Sequence, residues 1–321
     1  MIFVAKKGKG NGDTVFTQVK HLNDPYPDVL AIIKNQGQKF NSSLLHNNNW
    51  GLGNEKDSRI ISIMSRVGRP LIEYVKGELY IGIKTGLNKA YWINKETRDF
   101  LIHQDKASEE IIKPLIVGDV VRKWHIDQRG QWIIAAAIGV NISKYPAIYK
   151  HLQEWRTRLA ARSDQGNYWY ELRSCVYYDA FEKPKIVFPD IAKDSRFTLD
   201  SSGAYVDMTA FVIPQKDLYL LGVLNSSLVW QYLRQTAAVL GDAEKGGRLR
   251  LKRIYMRSLP IPNAPTTDHT AITALTQKCL DAKGQGANVA QWEAEIDERV
   301  ARLYGLSSAD LKAIRAEQGK A

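Results

Sequence analysis

Apolar residues recur at helical spacing in three parts of the chain. Over residues 143–161 they are separated by steps of four, three and four, with Ser143 as the expected N-terminal cap. Residues 217–237 are apolar on nearly every side, which predicts a buried helix. After a proline-rich stretch, amphipathic helices are predicted near 267–282 and 288–304, and a short third helix follows.

Short apolar runs predict β-strands through most of the remaining chain. LYIGIKTG and KAYWIN flank the turn at Gly86, and four later runs have the same character. These later runs are DVVRKWHI, QWIIAAA, KPKIVFPDI and AYVDMTAFVIP. Near the N-terminus, IFVA and TVFTQV are expected to form two strands around the turn KKGKGNGD.

The arrangement of these elements predicts an α+β protein. A helix near residues 26–34, the loop HNNNWGLGNEKD and a helix over IISIMSRVG precede the strand-rich part. The resulting body, residues 1–265, is expected to be a mixed, β-rich domain with packed helices. Residues 266–321 are predicted to form a C-terminal helical hairpin or spacer.

The composition is that of a globular protein of 321 residues, 44% of which are hydrophobic. No apolar run approaches the length of a membrane span, and the first residues do not resemble a secretory signal. Cys175 and Cys279 lie far apart and outside any metal-binding spacing. We therefore expect a cytoplasmic protein with no membrane partner, disulfide or metal site.

Positive charge is concentrated before the C-terminal helices. Residues 266–321 contain 7 lysines and arginines and 8 acidic residues, so the other 38 basic and 26 acidic residues lie in 1–265. A basic body beside a neutral tail favours a polyanionic partner, because many cations gain together by releasing counterions from a polyphosphate. A basic surface that is merely solvated remains an alternative.

No catalytic motif is complete. Lys84-Thr85-Gly86 matches a tripeptide of serine acyl-enzymes, but no serine in the chain has lysine three residues later. The same segment is not a P-loop, because Leu87 occupies the position of the phosphate-binding lysine. The glycines from Gly8 to Gly12 are followed by a strand pattern instead of a helix, which argues against a cofactor loop.

Six segments occur in an order that is more specific than any one of them. They are GELYIGIKTGLNKAYWINKETRDFLI, SEEIIKPLIVGDVVRKW, YWYELRSCVYYDAFEKPKIVFPDI, FVIPQKDLYLLGVLNSSLVWQYL, LPIP and IDERVARLYGLSSADLKAI. Together they resemble the TaqI-like C-terminal specificity region of Type IIG restriction-modification enzymes and related adenine-specific DNA methyltransferases. The resemblance covers nearly the whole chain from about Trp50.

The resemblance implies a target-recognition domain that selects a short sequence in double-stranded DNA. In such enzymes the methyltransferase core, with its cofactor loop and Asn-Pro-Pro-Tyr tetrapeptide, precedes this region. We therefore expect the chain to be catalytically silent, with no cofactor of its own; S-adenosylmethionine and Mg²⁺ are expected only for missing catalytic domains. Its expected partners are duplex DNA and fused or associated methyltransferase and nuclease domains, whether the chain is a fragment or a free-standing subunit.

Eleven residues are candidate DNA contacts. The resemblance makes GIKTGLN a shared segment whose glycines bring Lys84, Thr85 and Asn88 near DNA, although a purely architectural turn is an alternative. Strand alternation should place Arg248, Arg250 and Lys252 on one face of an extended run, as either a phosphate track or a solvated face, with Leu249 and Leu251 on the other face. The remaining candidates are Arg122, Lys123, Lys183, Lys185 and Arg253, whereas Trp124 is interpreted as a packing residue.

Base-reading residues are expected in loops outside the shared segments. These loops are HNNNWGLGNEKD, residues 164–168 and KDSRFTLDSSG, where polar side chains can meet base edges. Two other functions stay open: a complete S-adenosylmethionine-dependent methyltransferase with an atypical site, and a module that binds RNA or a partner protein.

Overall fold

A computed structural model describes residues 13–17, 19, 24–41, 55–241 and 247–318. Helices and several small sheets alternate along the chain, which confirms the predicted α+β class. The helices are α1 Val29–Gln36, α2 Glu55–Val67, α3 Leu71–Tyr74, α4 Asn88–Tyr91, α5 Lys95–Gln104, α6 Pro146–Gln153, α7 Arg156–Ala160, α8 Asp179–Glu182, α9 Leu218–Leu224, α10 Ser227–Thr236, α11 Arg253–Met256, α12 Thr266–Asp281, α13 Val289–Leu303 and α14 Ser308–Gln318.

The strands are short, and most sheets combine strands that are distant in sequence. They are β1 Asp13–Phe16, β2 Gln38–Asn41, β3 Arg69–Pro70, β4 Tyr80–Ile81, β5 Trp92–Asn94, β6 Ile112–Ile116, β7 Val121–Arg122, β8 His125–Ile126, β9 Gln131–Ile134, β10 Lys185–Pro189, β11 Ile191–Ala192, β12 Thr198–Asp200, β13 Tyr205–Val206, β14 Ala210–Ile213, β15 Val239–Leu240, β16 Arg248–Arg250 and β17 Pro260–Ile261.

An antiparallel sheet of order β12-β10-β14-β4 separates two hydrophobic cores. Alternate residues of β10 point to opposite faces, so Ile186 and Phe188 enter a helical core while Val187 enters the other core. The helical core contains α9, α10 and the C-terminal helices. The second core is built around the sheet β13-β6-β9-β5 and α6.

The C-terminal helices pack directly on the body. Apolar residues of α12, α13 and α14 share one core with α9 and α10, and α12 lies against both α9 and α13. Two buried tyrosine hydroxyls reinforce this packing: Tyr304 donates to the Pro260 carbonyl at 2.6 Å, and Tyr219 donates to the Pro262 carbonyl at 2.7 Å. The boundary between residues 265 and 266 stays a prediction, although both sides contribute to the same core.

Two long predicted helices are each interrupted. The stretch 143–161 forms α6 and α7, and Ser143 is not the cap, since Pro146 supplies the first helical position after Tyr145. The buried stretch 217–237 forms α9 and α10. The break lies at Asn225 because its side-chain amide donates to the Phe197 carbonyl at 2.8 Å, while Ser226 caps α10.

Several local predictions need correction. Of the expected TVFTQV strand only TVF lies in β1, which pairs with β2, and the IFVA run lies outside the described residues. Residues 55–57 begin α2 instead of ending a loop, and residues 46–54 of that predicted loop are not described. The KAYWIN run starts with the helical turn α4 before β5. Helix α5 and strand β6 were not predicted.

Candidate nucleic-acid interface

The GIKTGLN segment forms a tight turn between β4 and α4. Gly82 permits a close approach of two backbones, because a Cβ atom there would lie 2.0 Å from the Asp207 carbonyl oxygen. Gly86 has a φ of +70°, which favours glycine. The Thr85 side chain is only 1% exposed; its Oγ1 donates to the Asn88 Oδ1 at 2.6 Å. Thr85 therefore shapes the turn, while Lys84 and Asn88 are exposed.

Arg162 holds this turn against a later segment. Its buried guanidinium donates to the carbonyl oxygens of Thr85 at 2.5 Å, Trp169 at 2.8 Å and Glu171 at 2.9 Å. The guanidinium carbon also lies 5.1 Å from the centre of the Tyr91 ring. One cation thus donates to three carbonyl groups that belong to no helix or sheet. An irregular backbone can be buried only when its polar groups have such partners.

Glu171 provides the matching acceptor. Its buried carboxylate accepts from the backbone amides of Asn167 at 2.7 Å, Tyr168 at 3.0 Å and Gly139 at 2.9 Å. Arg162 and Glu171 therefore fix the irregular segment 163–173, which is called here the 163–173 loop. This segment includes residues 164–168, which the sequence analysis predicts to be one of the base-reading loops.

The 163–173 loop lies beside Lys84. The Lys84 ammonium is 2.5 Å from Asp164 Oδ2, and the Arg173 guanidinium is 3.7 Å from Asp164 Oδ1. Hydrogen bonding from Lys84 is the largest cause that lowers the pKa of Asp164. An open cleft of about 540 Å³ lies between the turn and the loop, and Arg158 adds a further cation to its lining.

The predicted alternation around Arg248 is confirmed. Leu249 and Leu251 are buried, whereas Arg248, Lys252 and Arg253 are exposed on β16 and the start of α11. These three cations have no ion pair within the described parts of the chain. Arg250 differs, because it is half-buried and its guanidinium lies 3.3 Å from Asp190 Oδ2.

Tyr177 follows the 163–173 loop along the chain and packs on β4. Burial is the main cause that raises the pKa of Tyr177 to about 12, whereas the charges of Arg173 and Arg253 both lower it. The Tyr177 ring also stacks on Tyr80 of β4, with 4.4 Å between the ring centres. The ring therefore packs against the strand that leads into the Lys84 turn.

Arg122 and Lys123 occupy a different place, at the tight turn between β7 and β8. Arg122 donates to the Asp119 carbonyl at 2.6 Å and pairs with Asp127 at 3.6 Å. Lys123 lies 2.8 Å from Glu293 of α13. The packing role of Trp124 is confirmed, since its ring is buried and its Nε1 donates to the same carboxylate at 2.5 Å. This turn joins the body to the C-terminal helices.

The two lysines near β10 differ from each other. Lys183 is exposed and makes no ion pair with any described residue. Lys185 has no exposed surface; its ammonium donates to Asp200 Oδ2 at 2.6 Å and to the Phe181 carbonyl at 2.5 Å. The structure corrects the prediction for Lys185, because a fully buried, paired ammonium presents no surface to a phosphate. The other DNA contacts stay predictions.

Arg162 and Glu171 were missed by the sequence reasoning. Arg162 precedes SDQGNY and Glu171 lies in WYELR. Neither sequence context indicates that the charged side chain binds backbone groups of other segments. Among the described residues, no group of three or more potential ligands is placed to hold a metal ion. Within the same residues, no helix is both long and apolar enough to span a membrane.

Residues 113–261 match the TaqI-like C-terminal specificity domain. Over these residues the chain is therefore similar to that specificity domain. The matched residues include the 163–173 loop, β16 and α11, whereas the Lys84 turn precedes them. This match covers fewer residues than the resemblance described in the sequence analysis, which begins near Trp50.

The curated relatives that the chain resembles include Type II methyltransferases. M.PaeR7I of Pseudomonas aeruginosa is 25% identical over 76% of this chain, and M.BanIII of Aneurinibacillus aneurinilyticus is 24% identical over 71%. The matched regions make up 41% and 42% of these relatives, so the chain spans about two fifths of their length.

A solved structure shares the fold. It belongs to MmeI, described as a Type IIL restriction-modification enzyme in complex with DNA. The likeness has a TM-score of 0.56 at 15% identity and covers 76% of this chain and 35% of that chain. The arrangement of helices and small sheets is therefore shared with part of that solved structure.

Proposed function

We propose that this chain is the DNA target-recognition module of a restriction-modification enzyme. It selects a short duplex sequence for methyltransferase and nuclease domains that are fused to it or associated with it. The observation that carries the proposal is the specificity-domain match, whose residues contain the 163–173 loop and the exposed cations of β16 and α11. The placement of the Lys84 turn beside that loop supports it further.

Phosphate binding and base reading would fall to different residues. Arg248, Lys252 and Arg253 are exposed cations suited to phosphate oxygens, which fix the register of a protein on DNA without reading sequence. Polar residues of the 163–173 loop and of the 193–203 segment are suited to base edges in the major groove. A methyltransferase must extract its target base from the duplex, so the module would hold the DNA during that step.

We further propose that the chain itself uses neither S-adenosylmethionine nor Mg²⁺. The chain spans about two fifths of its curated methyltransferase relatives, and cofactor chemistry would belong to the remainder of such a protein. Isothermal titration calorimetry of the chain with S-adenosylmethionine should give no binding heat. Saturable binding would instead favour a complete methyltransferase with an atypical site.

The decisive experiment is selection from a randomised duplex library at roughly physiological salt. We expect one short motif to be enriched. The double variant Lys252→Gln/Arg253→Gln should weaken binding to all duplexes and reduce the salt dependence, since it removes two phosphate contacts. Lys312→Gln, which removes an exposed cation of α14, is the charge control and should bind as the unmodified chain does.

Two outcomes would contradict the proposal. Equal affinity for structured RNA and duplex DNA would favour an RNA-binding module. Absence of a motif from the selection, both for this chain and for a longer polypeptide that includes it, would exclude sequence recognition.

A further inference from the structure

Three aromatic side chains of the 163–173 loop pack together, and the outermost ring is exposed. The Tyr168 side chain is 59% exposed, and its ring is nearly parallel to that of Tyr170, with 5.5 Å between the centres and 7° between the planes. Tyr170 is half-buried and meets Trp169 edge-on, at 5.5 Å and 83°. One face of the stack is thus supported by the protein while Tyr168 forms its exposed end.

The backbone below this ring is fixed. The amides of Asn167 and Tyr168 both donate to Glu171 Oε2, at 2.7 and 3.0 Å. Gly166 lies so close to that residue that an added Cβ would come within 2.6 Å of the same carboxylate oxygen. Since the loop is already ordered, a ligand that stacks on Tyr168 does not have to order it first.

One cation contacts this aromatic cluster, and two others lie on or beside the same loop. The Arg156 guanidinium lies 5.7 Å from the centre of the Trp169 ring, and Arg173, whose side chain is 49% exposed, belongs to the same loop. Lys84 is joined to the loop through Asp164. An exposed ring among cations suits a ligand that combines a flat aromatic group with a phosphate, which is the chemistry of a nucleotide.

We propose that Tyr168 stacks on a DNA base that has left the helical stack. The inference rests on the proposed function and deepens it. Bases within an intact duplex have both faces covered by their neighbours, so only an unstacked base offers a face to the ring. Every base has such a face, so this contact favours opened or distorted DNA instead of a particular sequence.

The test compares two duplexes that differ by one extrahelical 2-aminopurine. Their sequence is the one enriched by selection, or a mixed sequence if none is enriched. We expect the unmodified chain to prefer the duplex with the extrahelical base and to quench its fluorescence. Tyr168→Ala should reduce that preference roughly tenfold and abolish the quenching, with little effect on the paired duplex. Tyr168→Phe, which keeps the ring, should retain both.

Phe100→Ala is the matched control. Phe100 is an aromatic side chain of similar exposure, 60%, but it lies on α5 outside the loop. This variant should leave the preference unchanged. Thermal unfolding of each variant checks that the loss of an exposed ring has not unfolded the protein.

Three outcomes would overturn the inference in distinguishable ways. If Tyr168→Ala weakens binding to both duplexes equally, the ring is a general DNA contact. If Tyr168→Ala behaves as Phe100→Ala does, the ring has no part in binding. If the unmodified chain binds neither duplex, the proposed function itself fails, and the inference fails with it.

Discussion

The 163–173 loop and the helix pair α12/α13 are stabilised in different ways. The helices satisfy their own backbone groups and bury apolar side chains such as Ile296 and Val300 against the body. The loop has no repeating hydrogen bonds, and several of its carbonyls and amides are satisfied by Arg162 and Glu171, with the Tyr91 hydroxyl donating to the Tyr170 carbonyl. Stabilisation is distributed over many side chains in the helices, whereas in the loop Arg162 and Glu171 make most of the side-chain hydrogen bonds to the backbone.

This difference predicts where single substitutions do most damage. A helix that loses one methyl group keeps its backbone hydrogen bonds, and the neighbouring side chains still pack. A loop that loses a central charge leaves several buried polar groups without partners, at a cost that exceeds the net value of the bonds. If the 163–173 loop carries recognition, its geometry therefore depends on residues that do not touch DNA.

Arg162→Ala should have the largest effect. It removes the donor for the carbonyls of Thr85, Trp169 and Glu171, so the free energy of unfolding should fall by about 3 kcal/mol or more. Urea unfolding measures this change. Arg158→Ala, which removes an exposed arginine of α7, is the control and should stay within about 0.5 kcal/mol. Equal effects of the two variants would contradict the central role of Arg162.

Glu171→Gln should cost less, about 1 to 2 kcal/mol, because the side chain keeps its shape but replaces one acceptor by a donor. That donor would face the amides of Asn167 and Tyr168 or that of Gly139. Hydrogen exchange at these amides should become faster. Glu154→Gln, at an exposed helix end, should leave their exchange unchanged; unaltered exchange in Glu171→Gln would show that the carboxylate does not hold the loop.

The same contrast explains what the sequence could predict. Spacing of apolar residues indicated α12, α13 and the buried stretch of α9 and α10, because helical periodicity is a local property. The alternation of Leu249 with its basic neighbours likewise predicted which side of β16 is buried. Breaks within helices were harder to predict, since the break at Asn225 depends on a contact with Phe197.

Charged residues were the least predictable part of the candidate interface. Arg162 and its acceptor in Thr85 are separated by 77 residues, so nothing local marks the pair. Lys185 follows a strand pattern like that of an exposed cation, but Asp200 of the neighbouring strand neutralises it in the core. The sequence therefore identified the basic segments but did not separate exposed cations from those that hold the fold.

Ile296→Val tests the helical region, where many apolar side chains share the stabilisation. The side chain is buried in the helical core, and loss of one methyl group should lower the free energy of unfolding by about 1 kcal/mol. Urea unfolding measures this loss of stability. DNA binding, measured separately under conditions in which the protein is folded, should be unaffected. Glu298→Gln, an exposed change on the same helix, should be neutral. A larger loss for Ile296→Val than for Arg162→Ala would reverse the proposed contrast.

Lys84→Met should have the smallest effect and examines the exposed edge of the loop. Lys84 is the main cause that lowers the pKa of Asp164 from its ordinary value of 3.8, so its removal should raise that pKa. A carboxyl whose pKa is lowered by folding stabilises the protein above pH 3.8, and this contribution fades as the pH falls through the folded pKa. Lys84→Met should therefore make stability less dependent on pH in that acidic range. Carboxyl-carbon NMR titration gives the pKa directly, with Lys183→Met as the control for loss of an exposed lysine; an unchanged Asp164 pKa in Lys84→Met would assign the shift to Arg173 instead.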